Sequence, residues 1–353
     1  MKVLQLIDSL EVGGAERMSV SLANELAHQK MDSFLCATRE EGPLKASLNK
    51  EVGFLFLKKK KAYDLLALKR LYQWVKRYDI EIIHAHSSSF FFAYLIKLLR
   101  PKTILIWHDH YGNSEALDQR KDKVLRYCSG KFDAIIAVNT RLKDWAEERL
   151  HCARVYYVAN FVSELSQEQP SAHTKGTADI NIVCLANIRP QKDHANLLNA
   201  MALVQEQFPD CAVHLIGKIT EGDYYDGLVE QIEKKAIQNV YFYGAQTGIL
   251  PWLKTFDIGV LSSKSEGLPV ALLEYGIAGL PVVCTAVGQI PQVIGNAGLI
   301  VPPNDVEALA NAILHYIRRS EDRSVKALDF QHRVRASYSV QSAVSKLMEI
   351  YKH

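Results

Sequence analysis

Two glutamates that flank the start of a predicted helix are the residues best suited to chemistry in this chain. An apolar strand ends near Ser262, Glu266 lies on the loop that follows, and Glu274 lies within the next helix. Since carboxylates accept hydrogen bonds from vicinal hydroxyls, we expect one glutamate to hold a sugar and the other a ribose. The separation of the two disfavours a retaining glycosidase, whose carboxyls lie about 5 Å apart. A capping glutamate and a solvated helix glutamate are the alternative.

The segment between these glutamates is suited to anion binding. Gly267 lets the loop approach a ligand closely, and Pro269 fits the first position of a helix over residues 269–278. The N–H groups of a first helical turn have no partner within the helix, and they attract anions. We therefore expect this helix start to face a negatively charged ligand.

A second turn, between a strand and a helix, carries two cations, Arg189 and Lys192. A guanidinium fork beside an ammonium suits the two negative charges of a diphosphate, whereas two solvated surface cations are the alternative. The sequence contains no Asp-x-Asp, a device that holds a diphosphate through a metal ion. We therefore expect the two cations and the helix start to neutralise a leaving diphosphate without a metal.

Adjacent glycines, Gly13 and Gly14, follow the first predicted strand and open a helix. Without side chains they let backbone N–H groups approach an anion. The chain contains neither Gly-x-Gly-x-x-Gly nor a P-loop sequence, which disfavours a nicotinamide oxidoreductase and a P-loop nucleotidase. An ordinary strand–helix turn is the alternative.

Four histidines lie at the ends of two strands predicted over residues 80–84 and 103–107; they are His84, His86, His108 and His110. This grouping indicates a polar wall beside a ligand. A metal site is an alternative, but the spacing is not that of a His-Glu-x-x-His helix. A structural histidine with satisfied hydrogen bonds is a further alternative for His84.

Composition places the chain among ordinary globular proteins, with 353 residues, 48% hydrophobic and 23% charged. No apolar run reaches the roughly 18 residues of a membrane span, and the opening heptapeptide is too short for a signal peptide. Six scattered cysteines without Cys-x-x-Cys predict small buried side chains in a reducing compartment. Residues 1–165 carry 26 Lys and Arg against 20 Asp and Glu, and residues 166–353 carry 16 against 19. The basic first half therefore suits an anionic partner.

Short apolar strands alternate with helices through both halves of the chain, which predicts parallel sheets covered on both faces. The predicted class is α/β, with two doubly wound Rossmann-like domains facing a cleft and ligands beyond the carboxyl ends of the strands. The boundaries are residues 1–165 for the first domain, 166–179 for a linker and 180–333 for the second domain. A helix is predicted over residues 334–351 of the tail.

Three motifs together resemble the retaining glycosyltransferases of family 4, which have the GT-B fold. They are Gly13-Gly14-Ala15-Glu16-Arg17, Arg189-Pro190-Gln191-Lys192, and Glu266-Gly267-Leu268-Pro269 running on to Glu274. The resemblance covers nearly the whole chain. The chain departs from the family pattern at two places. Pro269 stands where many relatives have glycine, and Gly217-Lys218-Ile219 replaces the frequent Gly-x-Gly. The second departure lies near the expected site of the nucleotide base.

The resemblance implies a donor site for a nucleotide-diphosphate sugar in the second domain. Glu274 would hold the ribose, Glu266 the donor sugar, and Arg189 with Lys192 the diphosphate. Further donor contacts would come from Gly14, Gly267 and the backbone of Leu268, Pro269 and Val270. His108 would line the donor sugar near the reacting carbon, so the catalytic set is His108, Glu266, Arg189 and Lys192. The acceptor side would include Gly13, His86 and His110.

The resemblance also implies the activity: retaining transfer of a sugar, with UDP as the expected nucleotide, to a hydroxyl of a glycan or lipid-linked acceptor. The setting would be the assembly of cell-surface polysaccharide or glycoconjugate, with no metal cofactor. The first domain would bind the acceptor, and the C-terminal helix, residues 334–353, would pack back on it. The alternatives are a non-catalytic sugar-nucleotide-binding partner of another transferase, and an epimerase or phosphorylase of the same architecture.

A basic run, Lys58–Lys61, lies near Lys69 and Arg70 in the first domain. Such a run suits an anionic membrane surface or a lipid-diphosphate acceptor, and a solvated charge run is the alternative. We therefore predict a cytoplasmic protein with peripheral contact at the inner face of the membrane. The net charge of +3 gives no reason to expect nucleic acid.

Overall fold

The computed structural model describes residues 1–61, 63–112, 117–162 and 173–352. The chain divides into two compact units, Met1–Ser163 with Val340–His353, and Glu164–Ser339. Residues 166–172 of the predicted linker lie outside the described residues.

A parallel sheet of seven strands forms the first unit, in the order β3-β2-β1-β4-β5-β6-β7. The strands are β1 (Lys2–Ser9), β2 (Asp32–Glu40), β3 (Gly53–Phe56), β4 (Ile82–His86), β5 (Ile104–Asp109), β6 (Ala134–Ala137) and β7 (Val155–Tyr157). The helices between them are α1 (Gly14–His28), α2 (Leu65–Arg77), α3 (Phe90–Leu99), α4 (Lys123–Ser129) and α5 (Thr140–Arg149). Side-chain caps begin two of these helices, since Asp64 accepts a hydrogen bond from the Ala67 N–H and Asn139 from the Leu142 N–H.

The second unit repeats this architecture with six parallel strands in the order β10-β9-β8-β11-β12-β13. They are β8 (Ile180–Leu185), β9 (Cys211–Ile216), β10 (Val240–Phe242), β11 (Ile258–Leu261), β12 (Val282–Thr285) and β13 (Leu299–Val301). Its helices are α6 (His194–Gln205), α7 (Asp223–Lys234), α8 (Ile249–Leu253), α9 (Val270–Ala278), α10 (Ile290–Ile294), α11 (Val306–Arg318) and α12 (Ser320–Ser337). The last helix, α13 (Val340–Lys352), belongs to the first unit.

Each sheet has one place where the strand order reverses direction along the chain: between β1 and β4, and between β8 and β11. Doubly wound sheets bind ligands beyond the carboxyl ends of the strands at such a switch point. The predicted α/β class with two Rossmann-like domains is therefore confirmed. The turns of chemical interest are those that follow these four strands.

Three predicted boundaries are wrong. The strands predicted over residues 80–84 and 103–107 are shifted and run to His86 and Asp109. His84, His86 and His108 therefore belong to buried strands, whereas His110 directly follows β5. Their polarity suggested turns, but they satisfy one another inside the sheet. Pro269 is the N-cap residue of α9, in an extended conformation, and not its first helical residue.

The helix predicted over residues 334–351 is also interrupted. Its first part continues α12, which ends at Ser337, and a new helix, α13, begins at Val340. Tyr338 ends α12 with its N–H donating to the carbonyl of Val334. The even helical composition of the tail gave no signal for this break.

All six cysteines are buried free thiols, as their apolar settings predicted. No helix in the described part of the chain is both long and apolar enough to cross a membrane.

Two helical glycines give a test of the packing of the second unit. A Cβ on Gly276 of α9 would stand 2.4 Å from a methyl group of buried Val334 in α12, whereas a Cβ on Gly227 of α7 meets nothing within 4 Å. We expect Gly276→Ala to lower the free energy of unfolding by about 1–3 kcal/mol through overpacking. The matched Gly227→Ala should raise it by up to about 1 kcal/mol through helix propensity. Urea denaturation measures both, and equal effects would contradict the packing described.

Candidate active site

An ion pair joins the two loops at the switch point of the second sheet. Lys192 ends the short 3₁₀ turn that follows β8, and Glu266 lies on the loop between β11 and α9. The Lys192 Nζ lies 2.5 Å from the Glu266 Oε1, and the Ser263 hydroxyl donates to the same oxygen at 2.7 Å. Glu266 is only 4% exposed, and a carboxylate so buried needs such partners because its desolvation is costly.

Hydrogen bonds between the same two loops make them one structural unit. The Lys264 N–H donates to the Gln191 carbonyl at 2.9 Å, and the Gln191 side-chain amide donates to the Ser265 carbonyl at 3.0 Å. The Ser262 hydroxyl donates to the Lys192 carbonyl at 3.0 Å. The ion pair is therefore held by backbone geometry as well as by charge.

A third loop, after β12, supports Glu266 from another direction. Gly288 has a φ of +55°, and a Cβ there would stand 2.2 Å from the Glu266 carbonyl oxygen. The Gln289 N–H donates to the Gly267 carbonyl at 3.0 Å. Position 288 therefore requires glycine for its conformation and for this close approach.

The remaining predicted donor residues lie on the same segments. Arg189 begins the 3₁₀ turn and is exposed, and within the described chain its guanidinium has no ion-pair partner. Glu274 is buried within α9, whose first helical residue is Val270. The structure thus joins Lys192 to Glu266 directly, and it places Arg189 on the turn and Glu274 on the helix that adjoin this pair.

The four predicted histidines form one cluster in the first unit. The ring centroids of His84 and His86 lie 4.6 Å apart, and those of His108 and His110 lie 4.1 Å apart. His84 Nε2 lies 3.1 Å from His108 Nδ1, and His86 Nδ1 lies 3.0 Å from His110 Nε2. Because β4 and β5 are parallel neighbours that pair His84 with Ile106 and His86 with His108, the cluster spans the end of both strands.

Burial keeps these imidazoles neutral at neutral pH. It lowers the pKa of His84 to about 3 and that of His110 to about 3. It also lowers the pKa values of His86 and His108 well below the usual range, and the neighbouring histidines add to that effect. Each ring therefore carries one N–H donor and one acceptor nitrogen.

Three of the histidines could also offer ligands to a metal. His84, His86 and His108 each present a ring nitrogen within 4.8 Å of the others, and neutral imidazole is a good ligand for zinc. Hydrogen bonds inside the protein engage all of their ring nitrogens apart from His108 Nε2, as far as the described residues show. A metal ion would therefore have to replace several of these bonds.

The first switch point also holds an ion pair that sequence reasoning missed. The Lys59 Nζ lies 3.0 Å from the Asp8 Oδ1, and the Ser88 hydroxyl donates to Asp8 Oδ2 at 2.7 Å. Burial opposes ionisation of Asp8, but its pKa is still lowered, through Lys59 and the hydroxyls of Thr38 and Ser88. The position of Asp8 near the end of β1 could have indicated this site, because ligands of doubly wound sheets bind beyond the carboxyl ends of the strands.

Glu16 lies against the glycine turn that begins α1. A Cβ on Gly13 would stand 2.2 Å from the Glu16 Oε2, so the glycine leaves room for that carboxylate. Gly13 is the N-cap residue and Gly14 the first helical residue. The Glu16 carboxylate therefore lies at the helix start that was predicted to be open. A negative charge is favourable at this end of a helix dipole.

A cavity of about 760 Å³ lies beside His110 in the first unit. Its described lining includes the apolar side chains of Phe90, Trp107 and Leu125. It also carries the cations Arg120, Lys121 and Lys123 and the carboxylates Asp109 and Asp122. Arg120 is held by two hydrogen bonds to Asp109, at 2.6 and 2.9 Å.

Two family models match successive parts of the chain. Residues 12–164 match Glycosyltransferase Family 4, and residues 179–319 match Glycosyl transferases group 1. Together with the two Rossmann-like sheets, these matches place the chain in family 4 of the glycosyltransferases, with the GT-B fold, and the chain is therefore a glycosyltransferase. The resemblance predicted from the motifs is confirmed.

Similar proteins include two bacterial enzymes. The N-acetyl-alpha-D-glucosaminyl L-malate synthase of Bacillus anthracis is 23% identical over 275 residues, covering 73% of this chain and 71% of that protein. The UDP-Gal:alpha-D-GlcNAc-diphosphoundecaprenol alpha-1,3-galactosyltransferase of Escherichia coli is 22% identical over 372 residues, covering 96% and 94%.

Solved structures show the same fold. The Anabaena protein HepE in complex with UDP and glucose has a TM-score of 0.80 at 16% identity, with 99% of each chain covered. The sucrose-phosphate synthase of Thermosynechococcus elongatus has a TM-score of 0.79 at 16% identity, with 100% of this chain and 98% of that chain covered.

The histidine cluster predicts a dependence of stability on pH. In the unfolded chain His84 has a pKa of about 6.5, and in the folded protein about 3. Between these values the unfolded state binds the extra proton, so the free energy of unfolding falls as pH drops below 6.5. One such histidine contributes about 1.4 kcal/mol per pH unit.

Urea denaturation between pH 7.5 and 4.5 tests this dependence. We expect the slope of stability against pH to be smaller in His84→Gln by about one proton, and unchanged in His332→Gln, whose side chain is exposed on α12. Identical slopes in the wild type and His84→Gln would contradict the neutral cluster.

Proposed function

We propose that the chain moves a sugar from a UDP-sugar to a hydroxyl of a glycan or lipid-linked acceptor, with retention of configuration, in the assembly of cell-surface polysaccharide or glycoconjugate. The observation that carries this proposal is the convergence of the Lys192 and Glu266 loops at the β8/β11 switch point. The Escherichia coli relative adds support, since its name states a UDP-galactose donor and a diphosphoundecaprenol-linked acceptor.

Each donor residue has a role that fits its chemistry. Arg189 and Lys192 bind the diphosphate, because a guanidinium fork and an ammonium match its two charges. Glu266 accepts hydrogen bonds from the donor sugar, and Glu274 accepts them from the ribose. The Lys192–Glu266 pair keeps a cation and a carboxylate side by side, which is what a ligand with a phosphate next to a sugar requires.

Backbone groups complete the proposed donor site. Leu268 and Val270 supply N–H groups at the start of α9, and Pro269 between them supplies none. Gly267 permits close approach of its loop to the ligand. No metal enters this scheme, because the two cations and the helix start supply the positive charge.

The reaction breaks the bond between the anomeric carbon and the diphosphate oxygen, and it forms one to the acceptor oxygen on the same face. The acceptor proton passes to the departing diphosphate, so no protein nucleophile is needed. Fixed positive groups stabilise the charge that develops on the leaving group, and one such preorganised donor is worth about 10²–10³ in rate. His108 belongs to the proposed catalytic set as a group that contacts the substrate.

The acceptor is proposed to bind in the first unit, beside Gly13, His86 and His110. The cavity next to His110 is the structural support, since its apolar wall and its cations suit an acceptor with both lipid and phosphate parts. An acceptor without charge would make no use of Lys121 or Lys123.

An aromatic strip whose two ends are exposed supports the proposed contact with a membrane. Successive ring centroids lie 5.4 Å apart for Tyr63 and Phe91, 6.4 Å for Phe91 and Tyr94, and 6.2 Å for Tyr94 and Tyr127. Tyr63 is 76% exposed and Tyr127 is 75% exposed. Side chains of this kind anchor proteins at the interface of a bilayer.

Aliphatic and basic residues adjoin this strip. Leu65 and Leu66, at the start of α2, are about three-quarters exposed, and Lys58, Lys60 and Lys61 are exposed just before them. Lys59 does not contribute, because it is buried against Asp8. We therefore propose that these residues bind an anionic lipid surface, to which each lysine adds about 1 kcal/mol.

The role of Arg189 gives the first test. We expect Arg189→Ala to lower the rate of sugar transfer about 100-fold, with an unchanged melting temperature, because the side chain is exposed and makes no ion pair within the described chain. Arg319→Ala, an exposed arginine of the same unit, should leave transfer unchanged. Transfer is measured with labelled UDP-sugars and added acceptors. Full turnover in Arg189→Ala would contradict the assignment.

The nucleotide and the reaction class need separate measurements. We expect UDP to raise the melting temperature more than GDP or ADP, because a ligand that binds the folded state stabilises it. Sugar release that requires an added acceptor supports transfer, whereas conversion of the donor without one indicates an epimerase. A protein that binds UDP and turns over nothing would be the non-catalytic partner.

The lipid surface has a matched control on the second unit. We expect Leu65→Gln with Leu66→Gln to weaken binding to vesicles of phosphatidylglycerol and phosphatidylcholine at least tenfold, through lost apolar burial. Val325→Gln with Leu328→Gln changes two comparably exposed residues of α12 and should have no effect. Co-sedimentation at low and high salt measures binding. Wild-type protein that fails to bind at low salt would overturn the membrane proposal.

A further inference from the structure

Tyr351, near the C-terminal end of α13, makes a contact inside the histidine cluster. The side chain is 2% exposed, and its hydroxyl lies 2.6 Å from His84 Nδ1. His84 Nε2 in turn lies 3.1 Å from His108 Nδ1. A continuous chain of hydrogen bonds therefore runs from Tyr351 through His84 to His108.

Both hydrogen bonds of this series have the same direction, with the donor on the side of Tyr351 and the acceptor on the side of His108. His84 and His108 are neutral, so each has one N–H and one acceptor nitrogen. The 2.6 Å separation at Tyr351 is typical of an O–H donor and shorter than an N–H donor usually allows. The Tyr351 hydroxyl therefore donates to His84 Nδ1, and the His84 Nε2–H donates to His108 Nδ1. This leaves the proton of His108 on Nε2.

Gln5 fixes the second half of the cluster in a similar way. The Gln5 Oε1, which can only accept, lies 2.8 Å from His86 Nε2. The proton of His86 is therefore on Nε2, and its Nδ1 accepts from the Nε2–H of His110 at 3.0 Å. The two chains thus begin at Tyr351 and Gln5, whose side chains also interact with each other, and both groups stay in one protonation state at neutral pH.

The free end of the first chain is His108 Nε2. This atom is buried and has no hydrogen-bond partner within the described residues, whereas Nδ1 of the same ring is bound by His84. An imidazole with a proton on Nε2 donates a hydrogen bond from that atom to an oxygen. It cannot act as a general base through the same atom without first losing that proton.

We propose that Tyr351 is a positioning residue for sugar transfer, which through His84 holds His108 with an N–H donor at Nε2. The proposal rests on the proposed function for the role of His108, whereas the order of the hydrogen bonds follows from the short contact at Tyr351 and the neutrality of the buried imidazoles. His108 then donates to an oxygen of the bound substrate, and the acceptor proton leaves with the diphosphate. The C-terminal helix thereby contributes to the chemistry without touching the substrate.

Imidazole ¹⁵N NMR of the full-length protein tests the order of the hydrogen bonds directly. In the wild type we expect His108 to show a protonated Nε2 and an unprotonated Nδ1. Tyr351→Phe removes the donor to His84, so the His108 resonances should shift toward a mixture of both tautomers. The control is Tyr316→Phe, since the Tyr316 hydroxyl is buried without a partner among the described residues. An unchanged His108 tautomer in Tyr351→Phe would overturn the proposal, as would a wild-type proton on Nδ1.

Steady-state kinetics test the consequence for transfer. We expect Tyr351→Phe to lower kcat about fivefold, as the loss of one net hydrogen bond implies, with KM for the donor nearly unchanged. In His84→Gln, the new side-chain amide N–H can donate to His108 in place of the imidazole. Adding Tyr351→Phe to that variant should therefore lower kcat much less than Tyr351→Phe lowers it in the wild type. Equal and additive losses in both backgrounds would show a merely structural tyrosine and contradict the proposal.

The two measurements separate this proposal from the proposed function. A tautomer that shifts in Tyr351→Phe while kcat stays at the wild-type value would contradict the role of His108 in transfer. Zinc titration of the same NMR sample adds one more outcome: loss of the tautomer pattern at stoichiometric zinc would show a metal site in place of the hydrogen-bond chain, and would overturn the proposal.

Discussion

The ion pair between Lys192 and Glu266 is the interaction on which the account of the second unit depends. Each residue comes from a different loop, and the loops follow β8 and β11, the strands on either side of the switch point. A carboxylate that is 4% exposed would be costly without a partner. The pair therefore stabilises the arrangement of the two loops, and the hydrogen bonds between Gln191 and Ser265 and between Lys264 and Gln191 fix it further.

The first unit depends on a different constraint, the neutrality of four packed histidines. Like charges on rings that lie 4.1–5.5 Å apart within a sheet would repel strongly, and burial removes the water that would screen them. Neutral rings can instead donate and accept in series. The polar groups at the two switch points are thus ordered in different ways: by opposite charges in the second unit and by hydrogen bonds between neutral rings in the first.

Much of this could be predicted from the sequence, because the signals are local. Alternating apolar strands and helices indicate parallel sheets, and the strand that was predicted to end near Ser262 ends at Leu261. The Glu266 and Lys192 turns stand out because charged residues follow apolar strands. The strand ends at His86 and Asp109 could not be predicted from the sequence. Histidines can be buried there only because they form hydrogen bonds to one another within the cluster. Tyr351 could not be predicted either, because it lies 267 positions from its partner His84.

The most direct test of the central claim is calorimetric titration of UDP into the protein in the presence of EDTA. If the Lys192–Glu266 loops hold the diphosphate without a metal, the wild type should bind UDP, and Lys192→Ala should bind it at least tenfold more weakly through loss of a charged hydrogen bond. Lys234→Ala, an exposed lysine of α7 in the same unit, should bind as the wild type does. Undiminished binding by Lys192→Ala, or binding by the wild type that EDTA abolishes, would contradict the account.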